Sequence, residues 1–353
     1  MSTPSLTVLM SVYNGARYLD AAIASILAQT HRDFEFLIID DASTDASRSL
    51  IEAYRDPRIR LVRNPVNLGL TRSLNLGLGL ASGEFIARQD ADDLSAPKRL
   101  ATQLAFFRNH PDAALLGSQA WLLDQHGGSR GLRDLPLEPA SIRWANLFEN
   151  PIPHSAVMFR TRIIRDEMGG YDETFGCCQD YELWSRLMTR FPVHNLPERL
   201  VGLREHSASV SVTRAEEAGR LVRRVVDANL LAAFPDRSFS DEDRHLLNQY
   251  RAHLAPADLL PFHRLYSALQ SAFLFRFSSG VATADFQRTT ALHFARTAYN
   301  LLTRDRALAA REFLRAIRAW PSIALHQPWV RIAALAVLGE NARRLHERRE
   351  RRK

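Results

Sequence analysis

Short apolar runs alternate with amphipathic stretches through the first 110 residues. The apolar runs are bounded by polar turns, which predicts buried strands at residues 6–10, 34–39, 59–62 and 84–88. Between them, apolar side chains recur at helical spacing, as at Leu19, Ile23 and Ile26. Strands separated by helices favour an α/β fold, in which a mostly parallel sheet is covered by helices on both faces.

The pattern changes along the rest of the chain. Strand signals become sparser after residue 110 and are confined to residues 113–123, 155–159 and 199–204. From Thr213 onward they nearly vanish, and arginine-rich helical patterns replace them. We therefore predict an α/β domain over residues 1–212 and a helical C-terminal region over residues 213–353.

Charge is distributed unevenly between these two parts. Residues 1–212 hold 22 basic and 25 acidic side chains, whereas residues 213–353 hold 24 and 14 and end in an arginine-rich tail, 343–353. Such a basic helical region is typical of a segment that associates peripherally with an anionic membrane surface or with a protein partner. The alternative is a solvated helical face that is arginine-rich only because of genome composition.

Composition excludes several classes of protein. With 46% hydrophobic and 24% charged residues, the chain is not predominantly disordered, collagen-like or coiled coil. The two cysteines are adjacent, Cys177 and Cys178, and supply neither a disulfide framework nor a zinc site. The N-terminus does not resemble a signal peptide, and no apolar run approaches bilayer-spanning length. We expect a cytoplasmic protein, at most peripheral on the inner face of the membrane, with no nucleic acid partner.

Acidic side chains follow two of the predicted strands. Asp40 and Asp41 end one strand, and Asp90-Ala91-Asp92 ends another. Two carboxylates one residue apart can reach one Mg²⁺ or Mn²⁺ ion, which prefers oxygen ligands and can neutralise a diphosphate. The alternative is an acidic turn that caps the next helix, which is common chemistry for aspartate.

Asp180 opens a third site of interest, at the start of a predicted helix. A carboxylate at that position either serves as a general base in a cleft or is favoured only by the helix dipole. His154 is isolated in the sequence, and an isolated histidine is more often structural than catalytic. The glycine-rich loops of P-loop and dinucleotide-binding enzymes are absent from the sequence.

The order of these motifs resembles the family 2 glycosyltransferases, which have the GT-A fold. The resemblance covers residues 5–212. The matching segments are Thr7-Val-Leu-Met-Ser-Val-Tyr-Asn14, Leu37-Ile-Ile-Asp-Asp-Ala-Ser-Thr-Asp45, Asn67-Leu-Gly69 with Asn75-Leu-Gly77 and Ala81-Ser-Gly-Glu84, Asp90-Ala-Asp-Asp93, and Gln179-Asp-Tyr-Glu-Leu-Trp184.

The resemblance implies a role for individual residues. The nucleotide sugar would be bound by Ser11, Tyr13, Asp41, Arg72 and Asp90. The divalent metal, Mn²⁺ or Mg²⁺, would be bound by Asp92 and Asp90, with His206 as a further candidate ligand. Asp180 matches the catalytic base of inverting members. The family's preceding glutamate is Gln179 here, which removes a supporting acid and leaves the base.

The function implied is transfer of a sugar, with inversion, from a nucleoside diphosphate to the hydroxyl of a glycan or lipid-linked acceptor in bacterial surface-glycan synthesis. Two alternatives share parts of this pattern. One is an inactive nucleotide-sugar-binding protein of the same fold. The other is a sugar-1-phosphate nucleotidyltransferase, whose glycine-rich basic loop does not match Tyr13-Asn14-Gly15.

Overall fold

The structure, a computed structural model, describes residues 5–207, 209, 213–248, 255–277, 284–301 and 305–325. The chain divides into two compact units. The first consists of Met1–Ile142 with Glu149–Val225, and the second of Arg143–Phe148 with Val226–Lys353.

Within the described residues, the first unit is built on a nine-stranded sheet. The strands are β1 Leu6–Val12, β2 Glu35–Asp40, β3 Ile59–Arg63, β4 Phe85–Asp90, β5 Leu94–Ser95, β6 Leu115–Leu123, β7 Ser129–Arg133, β8 Met158–Arg160 and β9 Val193–Arg204. Their order along the sheet is β3-β2-β1-β4-β8-β6-β9-β5, and β7 pairs with β6.

The predicted parallel pairing is confirmed for the first four strands. β3, β2, β1 and β4 run parallel to one another, and β6 and β9 are also parallel. β8 is antiparallel to both β4 and β6, so the sheet as a whole is mixed. The hydrophobic pattern cannot reveal this reversal, because a three-residue buried strand looks the same in either direction.

Eleven α-helices occur in the described residues. They are α1 Ala16–Leu27, α2 Ser47–Ala53, α3 Leu70–Leu80, α4 Arg99–Asn109, α5 Pro139–Asn146, α6 Gln179–Met188, α7 Ala215–Ala233, α8 Asp241–Asn248, α9 Leu259–Phe277, α10 Ala284–Leu301 and α11 Arg306–Ala319. Short 3₁₀ turns lie at His154–Ala156, Pro256–Asp258 and Pro321–Leu325, and a π-helical turn at Ile163–Glu167.

Helices cover both faces of the sheet, as the sequence predicts. Successive strand residues point to opposite faces, so Val8 packs in a different core cluster from Leu9. The cluster around Val8 includes residues of α1, α2 and α4. The cluster around Leu9 includes residues of α3, α5 and α6, among them the fully buried Trp184.

The described part of the second unit is helical. Trp144 is completely buried there, and its indole Nε1 donates a hydrogen bond to the Tyr266 hydroxyl at 2.9 Å. A small core forms where α10, α11 and the turn at Pro321–Leu325 pack, with Phe313 and Ile323 among its members. The helical character predicted for this region is confirmed for these residues, whereas the domain boundary at residue 212 remains a prediction. The tail at 343–353 lies outside the described residues.

Two arginines are fully buried beneath the carboxyl end of β4. Arg88 and Arg99 have no exposed surface. The Arg99 guanidinium donates to the carbonyls of Arg88 and Val157, to the side chains of Gln89 and Ser95, and to Gln103 within its own helix. Burial lowers the pKa of Arg99 to about 9. A charge with this many partners is stable only while the network remains complete.

We expect Arg99→Ala to lower the free energy of unfolding by about 3–5 kcal/mol, the usual cost of removing one member of a buried charged network. Arg108→Ala is the matched control, because Arg108 is exposed on the same helix, and it should change stability by less than about 0.5 kcal/mol. Denaturation followed by circular dichroism measures both. Equal effects of the two substitutions would contradict the assigned role of Arg99.

Candidate active site

The carboxyl ends of β1, β2 and β4 lie side by side at one edge of the sheet. Ser11 is the register partner of Asp90, and Val12 is the partner of Asp40. The backbone N–H of Asp41 donates to the Val12 carbonyl at 2.9 Å. Ligands of open α/β sheets bind beyond this edge. The structure thus brings together three residues that the sequence assigns to the nucleotide sugar, Ser11, Asp41 and Asp90.

Asp41 is almost completely buried and organises the loop before α3. Its Oδ1 accepts hydrogen bonds from Asn64 Nδ2 at 2.7 Å and from the backbone N–H of Leu68 at 2.8 Å. Its Oδ2 accepts the backbone N–H of Gly69 at 2.9 Å. Gly69 has φ +86°, a conformation in which a side chain would be strained, and it sits directly before α3. Three donors thus hold the Asp41 carboxylate in place.

Asp90 is held in place from two sides. Its Oδ1 is ion-paired with the buried Arg88 guanidinium, and its Oδ2 accepts the Ser155 hydroxyl at 2.7 Å. Burial opposes ionisation of Asp90, but the Arg88 charge and these hydrogen bonds outweigh it, and the pKa of Asp90 lies below its usual range. Asp90 is therefore an anchored, ionised carboxylate.

Asp92 differs from Asp90 in that its surroundings disfavour ionisation. Its carboxylate is a third exposed, and His206 Nε2 lies 2.9 Å from its Oδ2. Burial and the nearby charge of Asp90 raise the pKa of Asp92. The next acid, Asp93, is buried and accepts the backbone N–H of Arg204 at 2.7 Å, and burial with the charge of Asp92 raises its pKa well above the usual range. Close carboxylates that resist joint ionisation are stabilised by a nearby cation.

The donor set of this turn fits a divalent metal of the Mg²⁺ or Mn²⁺ type. Asp92 supplies carboxylate oxygens, the ligands that these ions prefer, and the imidazole nitrogen of His206 lies beside them. In the part of the chain that the structure describes, no three His, Cys, Asp or Glu side chains are arranged to hold a metal ion by themselves. An ion here would therefore need water or ligand oxygens to complete its coordination, as Mg²⁺ sites commonly do.

Tyr13 and Arg72 are more exposed than the acids. Tyr13 directly follows β1 and is half exposed. Arg72 lies in the first turn of α3, and its Nε forms an ion pair with Glu173 Oε2 at 3.2 Å, where both side chains are at least half exposed. An exposed pair of this kind contributes little to stability, so the Arg72 side chain is available to an anionic ligand.

Asp180 is the second residue of α6, and the charge of Asp90 in the acidic turn, residues 90–93, acts on it. Its Oδ2 accepts a hydrogen bond from Asn150 Nδ2 at 2.7 Å. Burial raises the pKa of Asp180 to about 6, and the charge of Asp90 contributes in the same direction. A general base is most effective when its pKa lies near the working pH, so this carboxyl is suited to accept a proton.

Two other titratable groups, His154 and Glu182, are poorly suited to that task. His154 Nε2 lies 3.2 Å from Arg88 Nε, and burial with the Arg88 charge lowers the pKa of His154 to about 3. The imidazole is therefore neutral and its acceptor nitrogen is occupied. Glu182 is bound through both oxygens to Arg186, at 2.5 and 2.9 Å.

Comparison with known proteins now identifies the chain. Residues 7–161 match the family model described as Glycosyl transferase family 2. An uncharacterized glycosyltransferase of Haemophilus influenzae is 30% identical over 237 residues, which cover 64% of this chain and 73% of the relative. The chain belongs to glycosyltransferase family 2. The predicted family and the predicted transferase activity are both confirmed.

Two further relatives of this glycosyltransferase carry names. EpsE of Bacillus subtilis is 37% identical over 212 residues, covering 58% of this chain and 75% of EpsE. The amylovoran biosynthesis glycosyltransferase AmsE of Erwinia amylovora is 32% identical over 214 residues, covering 59% of this chain and 79% of AmsE.

The predicted GT-A fold is also confirmed. The structure of S. aureus TarS residues 1–349, crystallised in complex with UDP-GlcNAc, aligns with a TM-score of 0.54 at 16% sequence identity. The alignment covers 91% of both chains. At this identity the similarity concerns the fold.

The strained backbone conformations near the candidate site of this glycosyltransferase are hard to predict from the sequence. Three non-glycine residues in the described ranges have positive φ: Asn14 at 51°, Ala42 at 60° and Cys178 at 58°. Each lies within two residues of a candidate site residue, Tyr13, Asp41 or Asp180. Such conformations cost on the order of 1–3 kcal/mol and concentrate at functional sites. Asparagine adopts positive φ more often than most residues, so Asn14 after β1 could have predicted this conformation, whereas Ala42 and Cys178 could not.

Three supporting side chains were also missed. Asn75, on α3, donates to the Tyr171 carbonyl and accepts the Tyr171 N–H, both at 2.9 Å, and so fixes the segment before α6. Ser155 and Asn150 contact Asp90 and Asp180. Asparagine and serine occur in most loops, and no local pattern separates Asn150 and Ser155 from the others; Asn75 belongs to a segment that matches the family, but that match assigns it no role.

Proposed function

We propose that this glycosyltransferase moves a sugar from a nucleoside diphosphate to an acceptor hydroxyl, with inversion at the anomeric carbon, in the synthesis of a bacterial surface glycan. The observation that carries the proposal is a pair of acid centres: a turn of close carboxylates and, within its electrostatic reach, a carboxyl with a pKa of about 6. The name of AmsE, which refers to amylovoran biosynthesis, supports the assignment to glycan synthesis.

The donor would lie over the carboxyl edge of β1, β2 and β4. Ser11 and Tyr13 would line the nucleoside pocket, Asp41 would accept a hydrogen bond from the base, and Arg72 and Asp90 would face the rest of the nucleotide. TarS, whose fold is similar, was crystallised with UDP and with UDP-GlcNAc, which supports a nucleotide-sugar donor. The acceptor would be a glycan or a lipid-linked saccharide.

Asp92, with His206 beside it, would hold a divalent ion, and the anchored Asp90 would complete the negative field around it. Bound there, Mn²⁺ or Mg²⁺ would neutralise charge on the departing nucleoside diphosphate. Asp90 is less suited to bind the ion directly, because both its oxygens are engaged by Arg88 and Ser155.

Asp180 would act as the general base. Its carboxylate would take the proton of the acceptor hydroxyl while the hydroxyl oxygen forms a bond to the anomeric carbon and the bond to the diphosphate breaks. A single displacement of this kind inverts the anomeric centre. The raised pKa makes Asp180 a stronger base than an exposed aspartate and still leaves it ionised at neutral pH.

Replacing the two key acids should separate chemistry from binding. Asp180→Asn preserves shape and removes the proton acceptor, so turnover should fall roughly 10²–10⁴-fold while nucleotide affinity is nearly unchanged. Asp92→Asn should lower nucleotide-diphosphate affinity and turnover together. Radiolabelled sugar transfer and calorimetry with the nucleoside diphosphate measure the two effects. Near wild-type transfer by Asp180→Asn would remove Asp180 as the base and leave it only the structural role of an acid in the first turn of a helix.

We further propose that the helical C-terminal region brings the enzyme to an anionic membrane surface. Residues 259–325 contain nine arginines and three acidic residues. The acidic groups are engaged: Asp285 pairs with Arg288, Asp305 caps α11 and Glu312 is buried. On α9, Phe275 is 94% exposed beside the exposed Arg276. No helix in the described ranges is both long and apolar enough to cross a membrane.

Vesicle binding tests this proposal. The full chain should sediment with phosphatidylglycerol-containing vesicles at low salt and not with phosphatidylcholine vesicles. Because each basic residue near the surface contributes roughly 1 kcal/mol, removing two with Arg264→Gln and Arg276→Gln should weaken binding by about 30-fold. Arg108→Gln with Arg162→Gln is the control from exposed sites in the first unit. Equal sedimentation with both kinds of vesicle would overturn the proposal.

A further inference from the structure

One short segment contacts both acid centres of the site. Residues 150–155 lie between α5 and β8 and contain two prolines, Pro151 and Pro153. At one end, Asn150 donates to Asp180 at 2.7 Å. At the other end, the Ser155 hydroxyl donates to Asp90 Oδ2 at 2.7 Å and accepts the Asp90 backbone N–H at 3.0 Å.

The middle of this segment is rigid. Proline fixes φ at both Pro151 and Pro153, and both side chains are buried. His154 Nε2 lies 2.9 Å from the Tyr171 hydroxyl and 3.2 Å from Arg88 Nε, which ties it to the segment before α6 and to β4. Movement of one end of the segment would therefore be transmitted to the other.

The orientation of the Asn150 amide is fixed by its second contact. Its Oδ1 accepts the backbone N–H of Ile152 at 3.1 Å, so the amide nitrogen must point toward Asp180. The Asn150 donor thereby engages Oδ2 of Asp180 and fixes the orientation of the carboxylate. This contact comes from a residue 30 positions earlier in the chain, and it supplies an orienting partner where Gln179 replaces an acid.

We propose that residues 150–155 form a bracket that sets the separation of the base from the acidic turn, and that Asn150 is the positioning residue for Asp180. The inference rests on the proposed function, because it takes Asp180 as the base. It adds a residue that does not touch substrate and acts through the orientation of the carboxylate.

The charged groups around Asp180 determine how a substitution of Asn150 should change the pH dependence of turnover. The charged and titratable groups that act on Asp180 or respond to it are Asp90 from β4, and Tyr171 and Cys177 from the segment before α6. The hydrogen bond from Asn150 lowers the pKa of Asp180 against the effect of burial. Loss of that donor should therefore move the acid limb of the turnover profile to higher pH.

Two substitutions of Asn150 separate its contacts. Asn150→Asp keeps an acceptor for the Ile152 N–H but places a carboxylate where the donor was, whereas Asn150→Ala removes both contacts. Both should lower kcat at neutral pH by roughly tenfold or more, since misplaced catalytic groups can cost on the order of 10²-fold. KM for the nucleotide sugar should change less than twofold. The acid limb should move upward in both variants, and further in Asn150→Asp, because a second negative charge disfavours ionisation.

A double-mutant cycle with Asp180→Asn completes the test. If Asn150 acts through Asp180, Asn150→Asp should have no further effect on turnover in the Asp180→Asn background. An equal loss in both backgrounds, or wild-type kcat and an unmoved acid limb in Asn150→Asp, would overturn the bracket while leaving Asp180 as base. Wild-type turnover by Asp180→Asn alone would instead overturn the proposed base, and the bracket with it.

Discussion

The ion pair between the buried Arg88 and the partly exposed Asp90 is the interaction on which the site depends. Removing a guanidinium from water costs several kcal/mol, and this cost is offset only when every donor finds a partner. Arg88 achieves this by reaching the Leu9 carbonyl on β1 at 2.9 Å, His154 and the Asp90 carboxylate. Arg99 then holds the Arg88 carbonyl at 2.7 Å. The acidic turn is thereby fixed to the centre of the sheet.

This arrangement gives neighbouring carboxylates different states. Asp90 stays ionised because Arg88 is beside it, and its charge helps to raise the pKa values of Asp92 and Asp180. Asp90 is thus anchored in its ionised form, Asp92 is suited to bind a cation, and Asp180 is suited to accept a proton. Pairs of acids whose surroundings separate their pKa values commonly divide the roles of acid, base and electrostatic stabiliser in this way.

The sequence predicts the parts of the fold that repeat with a regular period. Buried strands and amphipathic helices follow from apolar spacing, and parallel pairing of β1 to β4 follows from their alternation with helices. The reversal of β8 has no such signal. The burial of Arg88 and Arg99 has no such signal either. Arginine is usually exposed, and these two are buried only because the folded structure supplies hydrogen-bond partners for their guanidinium groups. The contact of Asn150 with Asp180 depends on tertiary packing across 30 residues, which local patterns cannot encode.

The central claim is that Asp180 accepts the proton with a pKa raised by its surroundings. The direct measurement is the pH dependence of wild-type kcat at saturating donor, acceptor and Mn²⁺. A base must be deprotonated, so a pKa of about 6 predicts that kcat falls with a slope of one below about pH 6. A kcat that stays constant down to about pH 4, the range of an unperturbed aspartate, would contradict the account.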